Sequence, residues 1–271
     1  MPEFPYLHGF SNTETERLRR QARFAEHTVY QDVDLTKVTN LLEAGCGVGA
    51  QTEILLRRFP EIRITGVDRS EQHLSRAQAY LGSFPYAKGR YELLQMNVGQ
   101  LDLPSDAYDG AFLCWLLEHV EDPTRVLAEV RRVLRPGGVI YVTEVLNSSF
   151  LIDPYSPHTW RYWLAFNDFQ IDSGDSPFIG AKLGNLLMQT GYRDVSTTSK
   201  TWHFDNRQPD RRKETIEFWT ELLLSASDQL LEEKRVDQET VNEIKIDLAN
   251  IARDPNAVFY YTFVQARAAC G

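Results

Sequence analysis

The chain has 271 residues, with 29 Lys and Arg against 38 Asp and Glu for a formal net charge of -9, and it is 42% hydrophobic and 25% charged. Those are the proportions of a soluble globular protein, which excludes a disordered chain, a collagen-like repeat and a coiled-coil rod. The length suits one large domain or a domain with a substantial insertion, and the acidic balance argues against nucleic acid as a main partner, since phosphate binding needs a basic face.

Residues 11–30 open with Ser11, Asn12 and Thr13 followed by Glu14 and Glu16, a helix start with carboxylates near the positive end of the dipole. Leu18, Ala22 and Ala25 recur at helical spacing, while the preceding Pro5 to Phe10 is aromatic and irregular. From Val38 strand and helix patterns alternate. Asn40 to Ala44 predicts a buried strand, Gly45 to Gly49 a turn and Thr52 to Phe59 a helix. Ile62 to Val67, Tyr91 to Met96, Ala111 to Trp115 and Val139 to Thr143 predict further strands. Between them Ser70 to Leu81 predicts a Ser-capped helix, and Pro123 to Leu134 one stopped by Pro136, Gly137 and Gly138. This alternation specifies a parallel α/β sheet with right-handed crossovers, whose ligands sit beyond the carboxyl ends of the strands.

The pattern breaks after Glu144. Residues 148–180 concentrate Tyr155, His158, Trp160, Tyr162, Trp163, Phe166, Phe169 and Phe178. Ala181 to Thr190 predicts a helix, Asp194 to Phe204 a strand, Arg211 to Arg235 and Gln238 to Ala252 two amphipathic helices, and Ala257 to Ala266 a last strand. The two amphipathic helices expose a solvated face or form a homodimer surface. The expected division is a helical lid segment over 1–35, a cofactor-binding core over 36–147 and an aromatic cap insertion over 148–180. The remainder of the sheet occupies 181–271, with a two-helix insertion at about 209–254.

Leu42-Glu43-Ala44-Gly45-Cys46-Gly47-Val48-Gly49 places a carboxylate and three alternate glycines where the first strand turns into a helix, so that backbone can pass close to a ligand with no Cβ in the way. Asp68 ends the second strand 23 residues after Gly45, where a carboxylate can accept both hydroxyls of a ribose. A dinucleotide fingerprint is GxGxxG; here the third glycine comes one residue early and Glu43 would repel a pyrophosphate, whereas it suits a cationic amino group.

With LLEAGCGVGAQT, then ITGVDRSEQHLSRA, then YDGAFLCWLLEHVEDPTRVLAEVRRVLRPGGVIYVTE, residues 36–146 resemble the class I S-adenosylmethionine-dependent methyltransferases, of the small-molecule kind related to the ubiquinone and menaquinone biosynthesis enzymes. YLHGFSNTETERLRRQ is similar to the N-terminal helix segment of a subgroup of them. The resemblance implies a doubly wound, mostly parallel, seven-stranded Rossmann-like sheet with an N-terminal helix and helical cap insertions, and S-adenosylmethionine as cofactor. It also implies that Glu43, Gly45 and Gly47 approach the methionine moiety, that Asp68 holds the ribose with Arg69 alongside the adenine, and that Asn97 and Val98 read the adenine edge. Many relatives carry Asp where Asn97 stands. Cys114 matches a backbone contact near the sulfonium. Tyr6, Gln21, Cys46, His73 and Trp115 complete the cofactor candidates.

Candidate bases are His119, in the Leu117-Glu118-His119-Val120 pattern whose role in the family is mostly structural, and His8 and His158, in the two aromatic segments free to close over the carboxyl end of the sheet. Tyr155, Trp160 and Trp163 are the acceptor-binding candidates. Trp160, Trp163 and Phe166 also repeat at the spacing of a helix that simply packs. Oxygen or nitrogen of a small aromatic or apolar metabolite is the expected acceptor, with ring carbon behind. The rival readings are a nucleotide-dependent oxidoreductase and a non-catalytic S-adenosylmethionine-binding protein. The odd number of cysteines, Cys46, Cys114 and Cys270, has no zinc-type spacing, and no metal is expected. No run approaches the roughly 18 apolar residues that span a bilayer, and the start lacks a secretory apolar core, so a cytoplasmic protein with no membrane partner is expected.

Overall fold

A computed structural model of the chain describes residues 12–271. They fall into two compact units, residues 12–145, 179–200 and 264–271 in the larger, and 146–178 and 201–263 in the smaller.

The larger unit begins with helix α1 (Asn12–Tyr30), which buries Ala22, Ala25 and Val29 on one stripe. Strands β1 (Asn40–Ala44), β2 (Arg63–Asp68), β3 (Tyr91–Gln95), β4 (Tyr108–Cys114) and β5 (Leu134–Val145) follow, with helices α2 (Ala50–Arg58), α3 (Glu71–Leu81) and α4 (Pro123–Val133) between them. Each strand pairs parallel with its neighbour in the order β3-β2-β1-β4-β5. After β3 the chain crosses to the other side of β1, so the switch point of the sheet lies between the carboxyl ends of β1 and β4, where an open α/β sheet leaves a crevice. Ser70 and Asp122 cap α3 and α4 by accepting from His73 N and Arg125 N.

The Pro136-Gly137-Gly138 segment, expected as the stop after α4, lies within β5 instead. The helix already ends at Val133, and the register jumps from Tyr108 opposite Leu134 to Gly110 opposite Val139, a bulge that Gly137 accommodates with φ of 81°. After α6 (Leu183–Gln189) come two long strands, β7 (Tyr192–Phe204) and β8 (Val258–Cys270), with β8 next to β5 in the sheet and β7 paired to β8. The Gln265 side chain, from the last part of β8, donates to Val29 O and Thr143 Oγ1, both at 2.9 Å.

In the smaller unit α5 (Pro157–Asp172) and α7 (Pro209–Leu224) both pack on α9 (Gln238–Arg253). The single helix expected over Arg211 to Arg235 is divided. It breaks after Leu224 and resumes as the short α8 (Ser227–Glu232), which ends where Lys234 turns left-handed, φ 57°, and Arg235 N reaches back to Leu230 O at 2.8 Å. An eighth strand beyond the seven expected, β6 (Leu151–Asp153), pairs antiparallel with Val258 to Tyr260.

The aromatic stretch builds this unit's core. Phe150 stacks on Trp219 at 5.5 Å, Trp163 on Phe166 at 5.7 Å, and Trp219 lies 4.5 Å from Tyr261. A polar group runs through it. The Asn147 amide donates to Asn167 Oδ1 at 2.9 Å and accepts from Tyr261 OH at 2.8 Å, while its backbone carbonyl accepts from Trp163 Nε1 at 3.2 Å.

Candidate active site

The glycine loop leaves the end of β1 in left-handed backbone at Gly45 (φ 75°), Gly47 (φ 51°) and Gly49 (φ 76°). Gly45 N and Cys46 N both donate to Val67 O on β2, at 2.8 and 3.1 Å, which folds the loop back over the sheet edge. A Cβ on Gly45 would stand 2.7 Å from Leu116 Cδ1, and one on Gly49 would stand 3.1 Å from Ala77 Cβ. At Gly47, by contrast, a Cβ would meet nothing within 4 Å. The loop is therefore packed on both flanks and open at its middle, leaving room for a ligand to reach bare backbone.

Asp68, at the end of β2, is tied to this loop. Its Oδ2 accepts from Gly47 N and its Oδ1 from Ser70 N, both at 2.9 Å, with His73 Nδ1 3.8 Å from Oδ1. Each carboxylate oxygen has a second lone-pair direction, so the bonds that hold Asp68 in place leave it able to accept from a ligand. His73 is buried, and burial lowers its imidazole pKa against the opposing pull of Asp68. Farther along the strand ends, Asn97 is exposed and its Oδ1 accepts from Gly99 N at 2.8 Å, Val98 is buried, and Arg69 is exposed with its carbonyl accepting from Gln95 Nε2.

Glu43 is buried and its Oε2 has no hydrogen-bond partner. Burial pushes its pKa up to about 8 against the opposing pull of the nearby Thr52 hydroxyl, with the Asp68 charge adding to the rise. A buried carboxylate with an unmade bond is costly unless a cation or donor completes it. A second one lies two strands away. Glu144, near the end of β5, is fully buried; its Oε1 accepts from Leu116 N and Leu117 N at 2.9 and 2.6 Å, and its Oε2 has no partner. Burial, reinforced by the charge of Glu118, raises its pKa to about 8. Cys114, between them on β4, has its thiol pKa raised by burial and then by the charges of Glu144, Glu43 and Glu118. Glu43 and Glu144 are thus held largely protonated near neutral pH until a cation draws them into the charged form, an arrangement that suits a positively charged ligand.

The same crevice has a polar chain that sequence reading missed. Tyr30 OH, at the end of α1, donates to Gln51 Oε1 at 2.8 Å, and Gln51 Nε2 donates to Cys114 Sγ at 3.6 Å. Trp115 follows in left-handed backbone, φ 54°, unusual for a bulky residue. His119 Nε2 lies 3.6 Å from Glu118 Oε1. Gln21 is engaged within α1, accepting from Arg17 Nη1 at 2.9 Å, while Arg17 forms a buried pair with Glu14 at 2.6 Å.

Of the other expected site residues, Tyr6 and His8 lie outside the described residues. His158, Tyr155, Trp160 and Trp163 belong to the smaller unit. There His158 Nδ1 is 3.2 Å from Asp247 Oδ2, which also accepts from Ser156 Oγ at 2.7 Å. With Glu243 these form the group of three metal-capable side chains among the described residues, their ligand atoms within 4.8 Å of one another. Trp163 is buried in the aromatic core, and Tyr155 is 69% exposed.

Comparison with known proteins agrees with this geometry. The family described as "Methyltransferase domain" matches residues 42–142. The O-methyltransferase resE of Aspergillus sclerotiorum is 28% identical over 159 residues, 59% of this chain and 56% of the relative. Trans-aconitate 2-methyltransferase of Deinococcus radiodurans is 32% identical over 188 residues, 67% of this chain and 66% of the relative. The chain spans a little over half the length of several curated relatives it matches, 56%, 52% and 54% of three of them. Among solved structures, the [4+2]-cyclase SpnF superposes with a TM-score of 0.54 at 21% identity, covering 93% of this chain and 81% of that one, a likeness of fold alone. The motif-bearing strands, the loop they hold and these matches together make residues 42–142 a methyltransferase domain, by which the chain belongs to the S-adenosylmethionine-dependent methyltransferases.

Proposed function

We propose that the protein transfers a methyl group from S-adenosylmethionine to an oxygen or nitrogen of a small metabolite. The observation that carries this reading is the buried Glu43 carboxylate, with Oε2 unpartnered, beside a glycine loop open at Gly47 and bonded to Asp68. These residues fit the cofactor: Glu43 would take its ammonium, Gly45 and Gly47 would admit the methionine moiety past bare backbone, and Asp68 would accept from the ribose. Asn97, Val98 and Arg69 would border the adenine. Bound there, S-adenosylmethionine supplies an electrophilic methyl group on a sulfonium.

The protein's own contribution is alignment and exclusion of water, which needs no covalent step by a side chain. A base is required only when the acceptor must lose a proton. In the larger unit His119 is the candidate for that role, held beside Glu118. Oxygen is the first choice of acceptor atom, because one relative is named an O-methyltransferase and another is named for trans-aconitate, a carboxylic acid. The reading assigns cofactor binding to residues 36–147. It extends to a cytoplasmic setting, supported by three free cysteines.

Calorimetry with S-adenosylhomocysteine and NAD, followed by incubation with S-adenosylmethionine and a panel of phenols, amines and carboxylic acids, tests the reading. The expected result is binding of the sulfur nucleoside at a micromolar scale, none of NAD, and release of S-adenosylhomocysteine with at least one acceptor class. Binding of NAD without either sulfur nucleoside overturns it. Cofactor binding with no turnover on any acceptor would instead favour a non-transferring role.

A further inference from the structure

Glu144 closes the last of the segments that carry the family resemblance but is assigned no part in holding the cofactor, and its carboxylate is among the most enclosed polar groups of the larger unit, at 0% exposure. The pairing of β4 with β5 carries on just past Cys114, with Trp115 N donating to Thr143 O at 2.8 Å. Trp115 then turns left-handed, φ 54°, a conformation that a bulky residue keeps only when its surroundings over-determine it. The next two amides, Leu116 N and Leu117 N, both end on Glu144 Oε1. Without that oxygen two backbone donors at the turn would lose their partner. The turn in its place sets Leu116 against the glycine loop, with Leu116 Cδ1 2.7 Å from where a Cβ on Gly45 would stand.

We propose that Glu144 is a positioning residue of the cofactor site: it clamps the turn after β4, and through Leu116 it holds the glycine loop in the shape that receives the cofactor. This rests on the cofactor reading above. The contact is reciprocal, since the absence of a Cβ at Gly45 is what lets Leu116 lie there and the clamp is what keeps Leu116 in register with it.

The test compares wild type with E144A, E144Q and L116A in the full chain, reading amide hydrogen exchange at residues 116 and 117 without ligand and S-adenosylhomocysteine affinity by calorimetry. E144A should speed exchange at both amides and weaken binding about tenfold or more, while E144Q, which keeps an acceptor oxygen, should stay within about threefold of wild type. L116A should weaken binding with the 117 amide still protected, which a general loss of folding would not produce. It also leaves the carboxylate in place and serves if E144A does not fold. Unchanged exchange in the Glu144 variants overturns the clamp. Affinities within about twofold of wild type in both E144A and L116A overturn the positioning role. A wild-type protein with no affinity for S-adenosylhomocysteine overturns the cofactor reading and this role with it, whatever the exchange shows.

Discussion

Replacing Glu43 with glutamine should stabilise the protein increasingly as pH rises. The Glu43 carboxyl is raised from 4.5 to about 8, with burial as the main cause. In the unfolded chain the group ionises near its ordinary value, so between these two pH values the folded protein holds a proton that the unfolded chain has released. A carboxyl raised on folding therefore costs stability, and the cost grows through that window by up to about 1.4 kcal/mol per pH unit. From about pH 5.5 to 7.5 this amounts to roughly 2–3 kcal/mol. The amide of the E43Q variant does not titrate. It leaves unsatisfied donors in place of the unpartnered oxygen, an offset that does not vary with pH. Glu144 is raised in the same direction in both proteins and cancels in the comparison. Urea unfolding followed by tryptophan fluorescence at three pH values should show the E43Q minus wild-type difference climbing by about 2–3 kcal/mol across that range. A difference flat to within about 0.5 kcal/mol would refute the argument that Glu43 is held protonated by burial. The same variant should bind S-adenosylhomocysteine more weakly, and wild-type binding near neutral pH should release a proton as the ammonium draws Glu43 into its charged form, detectable by calorimetry in buffers of different ionisation heat.

Asp68→Ala should affect both binding and folding, because Asp68 holds Gly47 N and Ser70 N as well as the proposed ribose. We expect at least about tenfold weaker S-adenosylhomocysteine binding together with about 1–2 kcal/mol of lost stability, and wild-type affinity would show that the ribose is held elsewhere. Gly45→Ala should lower the thermal midpoint more than Gly47→Ala, since its Cβ meets Leu116 at 2.7 Å whereas Gly47 faces open space and pays only left-handed strain of about 1 kcal/mol. Equal midpoints would mean that Leu116 moves aside freely. Asn147→Ala should cost about 2–4 kcal/mol in denaturant titration by stranding Tyr261 OH and Asn167 Oδ1 in an aromatic core, and a loss below about 0.5 kcal/mol would mean those partners find others.

The geometry of the glycine loop and its flanking acids was legible because its signals are local. Alternate glycines report left-handed turns wherever they fold, and Gly45, Gly47 and Gly49 all take positive φ. The carboxylates that end the first two strands, Glu43 and Asp68, come to the same crevice because parallel strands align their carboxyl ends. Element types were readable for the same reason, since periods of two and 3.6 residues survive in the sequence whatever the fold. The errors fell where local pattern and tertiary need diverge. Proline and glycines 136–138 signal a helix stop but serve a strand bulge, and the apolar stripe of 211–235 continues across a break after Leu224 that only local backbone bonds such as Ala226 N to Leu223 O define.

Local pattern alone thus carries the succession of most strands and helices along the chain, the glycine loop and the two acids at its sides. It takes the folded chain to bring Glu144 to the amides of Leu116 and Leu117, Tyr30 to Cys114 through Gln51, and Asn147 to Asn167 and Tyr261. Partners 20 to 114 residues apart in several of these bonds leave no periodic trace. They are brought together by crossovers and strand register, and an acid such as Glu144 reads in sequence as the polar end of a strand until its neighbours close around it and remove the water that would otherwise have satisfied it.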